Sequence, residues 1–313
     1  MRSKSGGLLF PAPGREAGAR ASSPGAAEPP AGKPISLAVV VPAGPNDDVV
    51  DTVASVLHFS SAPRFVVVVD DTGGNVRRDL EALSPDVSVI PAPPAAGAHG
   101  GLWVKVAAGY RHVLRHFAFD VLLRIDADAL VIGGGVAEAA ARRFATDAAV
   151  GMLGSYRVGP DGRLRSWSDA ARALRRECGL PGWQHPRTRR VLRTLRKSAE
   201  ANRYVAGEHP LGGAYLHSFA AAHAIAERGW LDLDPLRYSR LGEDHLFGLV
   251  TVAAGFEIAD FGGPEDPLAL RWRGLPDDPA ALLARNKLVT HSVRSFGDLD
   301  ERAIRSIFAE ARR

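Results

Sequence analysis

Four short pieces of this 313-residue chain carry residue types that can do chemistry. Asp126-Ala127-Asp128 places two carboxylates two positions apart, directly after the apolar run Val121-Leu122-Leu123-Arg124-Ile125. Residues i and i+2 at the end of a strand can both reach its edge, one toward a hard divalent cation and one toward a sugar hydroxyl. The same spacing suits a solvated strand-to-loop turn, where Asp is common. Asp70-Asp71 closes another apolar run and reads in the same two ways. Leu241-Gly242-Glu243-Asp244-His245 opens a helical run, where acids cap the helix and meet its dipole or serve a site. His291, in Val289-Thr290-His291-Ser292, is either a ligand or a satisfied core histidine. The other nine histidines, His209 and His245 among them, show no pairwise ligand spacing.

These groups need elements to position them. Ile35–Val41 is a nearly unbroken apolar run closed by Pro42, which reads as a strand buried on both faces of a parallel sheet. Phe65–Val69, Val87–Ile90, Val121–Ile125, Val150–Leu153, Ala214–Leu216 and Phe256–Ala259 read as further strands, and Val289–Val293 as a last short apolar piece. Between them, helical spacing appears over Val49–Leu57, over Leu102, Val106, Tyr110, Val113, Leu114 and Phe117, and over Val136–Phe144. It returns over Phe219–Arg228, Glu243–Ala253 and Asp298–Ala311. Strands alternating with helices predict an α/β fold with a doubly wound, mostly parallel sheet. Ligands bind such sheets beyond the carboxyl ends of the strands, where both acidic clusters fall. No G-x-x-x-x-G-K-[ST] is present, and no G-x-G-x-x-G follows a strand. A bound diphosphate would therefore need its positive charge from elsewhere, and a cation held by carboxylates supplies it.

Composition narrows the class further. Apolar residues make up 46% and charged residues 24%, which excludes wholesale disorder and fibrous structure. A single cysteine, Cys178, excludes an intrachain disulfide and any Cys-based cluster. Residues 1–34 are rich in Gly, Ala, Pro, Ser and Arg without an apolar period, and are expected to be a disordered tail. Gly7-Leu8-Leu9-Phe10 is too short for a signal-peptide core, so the expectation is a cytoplasmic chain, with a transit peptide as the other reading. Residues 157–203 break the alternation. They carry thirteen basic and four acidic residues, and Ala170–Cys178 and Arg189–Ala201 look helical. The segment reads as a basic helical insertion in one domain spanning 35–313. Its charge suits an anionic acceptor or an anionic membrane surface, to which the chain would be peripheral, or simply a solvated face. With only Trp167, Trp183 and Tyr204 for stacking, it argues against nucleic acid.

The ordered set resembles a known family. A first strand, then Val69-Asp70-Asp71, Arg124-Ile125-Asp126-Ala127-Asp128, Gly212-Gly213-Ala214, Gly242-Glu243-Asp244 and a late His291 is similar to glycosyltransferases of the GT-A fold, of the family 2 type. The likeness runs from about Ile35 to Arg294. It implies a GT-A-type sheet and an enzyme that moves a sugar from a nucleotide-diphosphate sugar to an acceptor hydroxyl. Asp71, with Asp70 beside it and Pro42 after the first strand, would meet the donor nucleoside. Asp126 and Asp128 match the D-x-D pair, Asp128 as the direct ligand of Mg2+ or Mn2+ and Asp126 nearer the ribose, with His291 completing the metal site. Gly212 and Gly213 would let backbone approach the donor sugar or acceptor. Asp244 would be the general base, with Glu243 orienting the acceptor or capping the helix. That arrangement implies inversion, and a retaining GT-A enzyme is the nearest alternative. A nucleotidyltransferase would need a basic loop after the first strand, and residues 42–48 hold neither Arg nor Lys. A non-catalytic nucleotide-sugar-binding protein would have no need to keep all the acids. Pro42-Ala43-Gly44-Pro45 also lacks an aromatic to stack on the base.

Overall fold

The computed structural model describes residues 33–61, 63–94, 100–179 and 184–313. Gly7–Phe10 and Trp183 lie outside them, as does the expected tail up to residue 32. Lys33 and Pro34, assigned to that tail from composition, are the first residues of a strand.

In chain order, β1 (Lys33–Ala43), α1 (Val49–Phe59), β2 (Arg64–Asp70), α2 (Arg77–Leu83) and β3 (Val87–Pro91) form a parallel half-sheet with two crossovers. Helix α3 (Gly100–His116) and β4 (Phe117–Ile125) follow, then the three-residue β5 (Ala129–Val131), α4 (Val136–Thr146) and β6 (Val150–Gly154). Next come α5 (Ser168–Cys178), α6 (Pro186–Ala201), β7 (Ala214–Ser218), α7 (Phe219–Glu227), α8 (Glu243–Ala253) and β8 (Glu257–Asp260). The chain closes with β9 (Leu268–Leu270), α9 (Pro279–Ala284), β10 (Val289–His291), β11 (Ser295–Phe296), β12 (Leu299–Asp300) and α10 (Glu301–Glu310).

Seven strands form the main sheet in the order β3-β2-β1-β4-β7-β6-β8. Only β7 runs against its neighbours, pairing antiparallel with both β4 and β6. The expected α/β, mostly parallel sheet is therefore present, with α5 and α6 inserted between β6 and β7. One boundary differs from the apolar pattern. Phe117 begins β4 rather than ending α3, because the backbone of residues 117–119 pairs in register with residues 33–35 of β1.

The sheet is buried on both faces. Leu37, Val39, Val41, Val66, Val68, Leu123 and Leu216 pack toward α1 and α4, while Val40, Val67, Val69, Leu122 and Tyr215 pack toward α3 and α8. Helix α3 lies close to the sheet because Gly109 has no side chain: a Cβ there would stand 2.4 Å from Cγ1 of Val40. Its inner stripe is Trp103, Val106, Ala107, Tyr110 and Val113, one face of a 3.6-residue period. A small second sheet, β5-β10-β9, ties the C-terminal part to the end of β4. Among the described residues, no helix is long and apolar enough to cross a membrane.

The core also encloses a titratable imidazole. His217 of β7 is fully buried, with Nδ1 2.9 Å from the Tyr110 hydroxyl and Nε2 2.9 Å from the Thr251 hydroxyl. Burial pushes its pKa down to about 3. In the unfolded chain it binds a proton near its ordinary value of 6.5, so between pH 6.5 and 3 the unfolded state holds more protons and stability falls as pH drops. By pH 5 this residue should cost about 2 kcal/mol. Urea unfolding at pH 7.5 and 5 should show that loss in the native chain and a smaller one in His217→Gln. Equal losses would mean that His217 titrates normally in the fold.

Candidate active site

The end of β4 is fixed by the strand beside it. The Asp126 amide donates to the Gly213 carbonyl at 2.7 Å, and the chain then turns through Ala127 and Asp128 into β5. Strand β10 lies antiparallel to β5 with His291 opposite Ala129, so the imidazole arrives beside Asp128. Its Nε2 lies 3.3 Å from Asp128 Oδ1 and 3.8 Å from Asp126 Oδ2. The three residues each offer one ligand atom, all within 4.8 Å of one another.

The remaining carboxylate oxygens are already engaged. Asp126 Oδ1 pairs with Arg124 at 2.8 Å. Asp128 Oδ2 accepts from Ser292 Oγ and from Arg294 Nε, both at 2.8 Å. These outer partners aim Asp126 Oδ2 and Asp128 Oδ1 at His291, the kind of support that orients metal ligands. Two carboxylate oxygens and one imidazole nitrogen fit Mn2+ or Mg2+. Burial opposes the charge on Asp128, but His291, Ser292 and Arg294 outweigh it and hold its pKa below the ordinary carboxylate range. Burial likewise opposes a proton on His291, and Asp128 and Asp126 outweigh it, so its pKa is raised. Carboxylates that hold a proton on an imidazole can hold a cation in the same place.

Arg124 ties this cluster to the start of α8. It is fully buried in the sheet, and its Nη2 reaches both Asp126 and, at 3.1 Å, Glu243 Oε2. The Tyr215 hydroxyl donates to the other Glu243 oxygen. Glu243 is only 3% exposed; burial raises its pKa, and the Arg124 guanidinium opposes that rise. Expected to orient an acceptor or cap the helix, Glu243 lies in the first turn of α8 with its carboxyl closed off from solvent and directed at Arg124. Asp244, turned about 100° away on the helix, is half-buried instead. Its Oδ2 accepts from the Gly212 amide and its Oδ1 from the His245 amide, both at 2.9 Å. Burial opposes its charge, but His245 and His209 outweigh it and lower its pKa.

Gly212 and Gly213 sit between the two acids' territories. A Cβ on Gly212 would lie 3.1 Å from Asp244 Oδ2. One on Gly213, whose φ is 99°, would lie 2.4 Å from the His291 ring. The close approach that these glycines permit in the structure is thus to Asp244 and His291.

The expected nucleoside contacts are placed unevenly. Pro42 is buried within β1 opposite Val69. Asp70 spends its oxygens on the turn after β2, accepting from the Thr72 amide and hydroxyl and from the Gly74 amide. Asp71 is exposed and paired with Lys105 of α3. Several residues of the site carried no signal in the motifs. Ser292 and Arg294 simply follow His291, and His209 lies far from His245 in sequence although their rings meet at 3.7 Å. Arg165, from the basic segment, sends its Nη1 to the Tyr156 and His209 carbonyls at 3.2 and 3.0 Å. Arg124 did carry one: a lone charge inside an apolar strand must find a buried partner.

No protein-family model matches the chain, and no curated protein matches it. Solved structures similar to it include a mannosyltransferase from Pyrobaculum calidifontis in complex with GDP-mannose and Mn2+, at 16% identity and a TM-score of 0.42, covering 74% of this chain and 55% of that one. A second is the apo bifunctional glycosyltransferase WbbM, at 12% identity and 0.46, covering 89% and 50%. A third is glucosyl-3-phosphoglycerate synthase from Mycobacterium tuberculosis in complex with Mn2+, UDP and glucosyl-3-phosphoglycerate, at 14% identity and 0.38, covering 80% and 75%. The chain spans about half the length of the first two.

The contact at Gly213 gives a direct test. Gly213→Ala adds a Cβ both at a left-handed backbone position and against the His291 ring. It should lower the melting temperature by several degrees, corresponding to about 1–3 kcal/mol, and weaken Mn2+ binding measured by titration calorimetry. Unchanged Mn2+ affinity would show that His291 does not belong to a cation site.

Proposed function

We propose that the chain is a metal-dependent, GT-A-type glycosyltransferase of the family 2 kind, which moves a sugar from a nucleotide-diphosphate sugar to an acceptor hydroxyl with inversion. One observation carries the reading: His291, far along the chain from Asp126 and Asp128, joins them so that the three offer ligand atoms within 4.8 Å of one another. That point lies just beyond the carboxyl end of β4, where an open α/β sheet binds its ligand. Asp126, Asp128 and His291 would hold Mn2+ or Mg2+. The ion, when bound, supplies positive charge to the diphosphate as it leaves.

The rest of the reaction falls to the chain's own groups. Asp244 is half-buried with its pKa held low, and two backbone amides fix its carboxylate. It accepts the proton of the acceptor hydroxyl as that oxygen bonds to the anomeric carbon from the face opposite the diphosphate. The bond from the anomeric carbon to the diphosphate oxygen breaks, and its electron pair departs with the nucleotide. Glu243, Arg124 and Tyr215 stay behind this surface and hold Asp126 in place. Exposed Asp71, at the carboxyl end of β2, meets the nucleoside, with Lys105 fixing its carboxylate. A retaining enzyme would have no use for a base at Asp244.

The insertion supplies a second partner. Arg175 and Arg176 of α5 and Arg187, Arg190, Arg193 and Lys197 of α6 are exposed on helices whose other sides are buried. This face suits an anionic membrane surface. Flotation with acidic-lipid vesicles should show binding at low salt that is lost at high salt, because such attraction is screened within a Debye length of about 10 Å at 0.1 M salt. Failure to float at low salt would remove the membrane from the account.

Two variants separate the roles in transfer. Asp128→Ala should lose Mn2+ binding and, with it, transfer. Asp244→Asn keeps the shape but is a far poorer base, so it should keep donor affinity and melting temperature and lose at least ~10²-fold in kcat. Near-native turnover in Asp244→Asn would leave the reaction without its base. Loss of donor binding there would instead move Asp244 to the donor side and favour retention.

A further inference from the structure

The turn that carries Asp126 and Asp128 is held from behind by the last helix of the chain, to which the transfer reaction gives no task. Backbone bonds close the turn itself: the Ala129 amide donates to the Asp126 carbonyl at 3.1 Å, and the Val293 amide to the Asp128 carbonyl at 2.9 Å. The Ala127 carbonyl faces the interior. It accepts from the Thr52 hydroxyl of α1 at 2.7 Å and from Nη2 of Arg305 in α10 at 2.8 Å, so both of its lone pairs are used. A peptide unit is planar, so a carbonyl fixed here fixes the plane that leads into Asp128, and with it the direction of that side chain. Arg305 is only 5% exposed, and its remaining N–H groups are engaged as well. Nε and Nη2 donate to Glu301 Oε1 at 2.9 and 2.8 Å, and Nη1 donates to Asp51 Oδ2 at 3.0 Å and to Thr52 Oγ1 at 3.3 Å. Glu301, one turn earlier on α10, reaches the same turn by a second route. Its Oε2 lies 3.7 Å from Nη1 of Arg294, whose Nε donates to Asp128 Oδ2 at 2.8 Å.

We infer that Arg305 and Glu301 of α10 are positioning residues for the cation site at Asp126, Asp128 and His291, which together set the direction in which Asp128 presents its ligand oxygen. The inference rests on the cation reading of that site. Arg305 acts on the backbone that leads into residue 128, and Glu301 acts through Arg294 on its carboxylate. Residues four apart on a helix share a face, so one face of α10 fixes Asp128 at both ends. The position demands arginine: a planar fork of N–H groups spans a carbonyl, a hydroxyl and two carboxylates at once, and the compact ammonium of lysine does not. Docking of the helix has other sources. Ile304 and Phe308 pack against Leu130, Ile132 and Val293, and Arg312, just past the helix, sends its side-chain bonds among the described residues to Asp51.

Mn2+ affinity of the full chain, measured by titration calorimetry beside the melting temperature of the metal-free chain, tests it without reference to transfer. Arg305→Lys keeps the charge but not the span, and should weaken Mn2+ binding by about tenfold or more, the usual cost of losing a residue that orients a metal ligand. Glu301→Gln keeps the size but drops the charge that draws in both guanidinium groups, and should weaken binding by about threefold or more. Arg312→Gln is the control: it should lower the melting temperature by loosening α10 and leave the Mn2+ Kd unchanged. Native affinity in folded Arg305→Lys and Glu301→Gln would overturn the inference and leave the cation site standing. Equal weakening in Arg312→Gln would also overturn it, since α10 would then matter only as a packed helix. Should Arg305→Lys not fold, Glu301→Gln, at a half-buried residue, decides between these outcomes. No Mn2+ binding by the native chain would overturn the cation reading and this inference together.

Discussion

A guanidinium with no access to water sets the terms for this structure. Arg124 lies inside the central sheet, and arginine does not give up its proton, so carboxylates must come to it. Asp126 comes from the turn that follows its own strand, and Glu243 from the first turn of α8. Removing one partner of a buried pair of this kind typically costs about 3–5 kcal/mol, because the other charge is left uncompensated. The position of α8 relative to the end of β4 is therefore not free to drift. Tyr215 of β7 completes the arrangement by donating to Glu243, so the antiparallel strand between β4 and β6 is bound into the same network.

The two acidic clusters inherit their separation from this buried link. Asp126 and Glu243 are the inward halves of two acidic pairs, and Asp128 and Asp244 are the outward halves. Each inward acid is spent on Arg124, in part or wholly, while each outward acid keeps access to the surface. Gly212 and Gly213 fill the space between, with one amide on Asp244, one carbonyl on the Asp126 amide and no side chain to push His291 away. A larger residue at either position would force the two clusters apart.

The basic segment between β6 and β7 has two distinct parts. Helices α5 and α6 bury Ala170, Leu174, Val191, Leu192 and Leu195 and turn their arginines outward, so most of the charge is surface. Arg165, at the segment's start, is the exception. It reaches the carbonyls of Ser155, Tyr156 and His209 and so anchors the loop that brings His209 to Asp244. One arginine among many thus acts on the candidate site, and composition could not have singled it out.

Local pattern alone specified much of this protein. Unbroken valine runs such as Val39–Val41 and Val66–Val69 can only be strands buried on both faces, and that dictates a parallel sheet with helices on each side. The ends of those runs placed Asp70, Asp71, Asp126 and Asp128 at the carboxyl edge, because strand direction follows from connectivity. Other facts have no local cause. Strands of two or three residues, such as β5, β9 and β10, are too short to show a period, yet their pairing delivers His291 to Asp128. Adjacent Glu243 and Asp244 are alike as acidic residues in the sequence, and only the buried Arg124 decides which is consumed by the core and which stays half-buried at its edge. The meeting of His209 with His245 was invisible because a contact between a loop and a helix start depends on how the chain returns, and spacing along the sequence does not record it. Sequence fixes what each segment prefers to bury; the packed sheet decides which charges must then be paired, and so which remain to act.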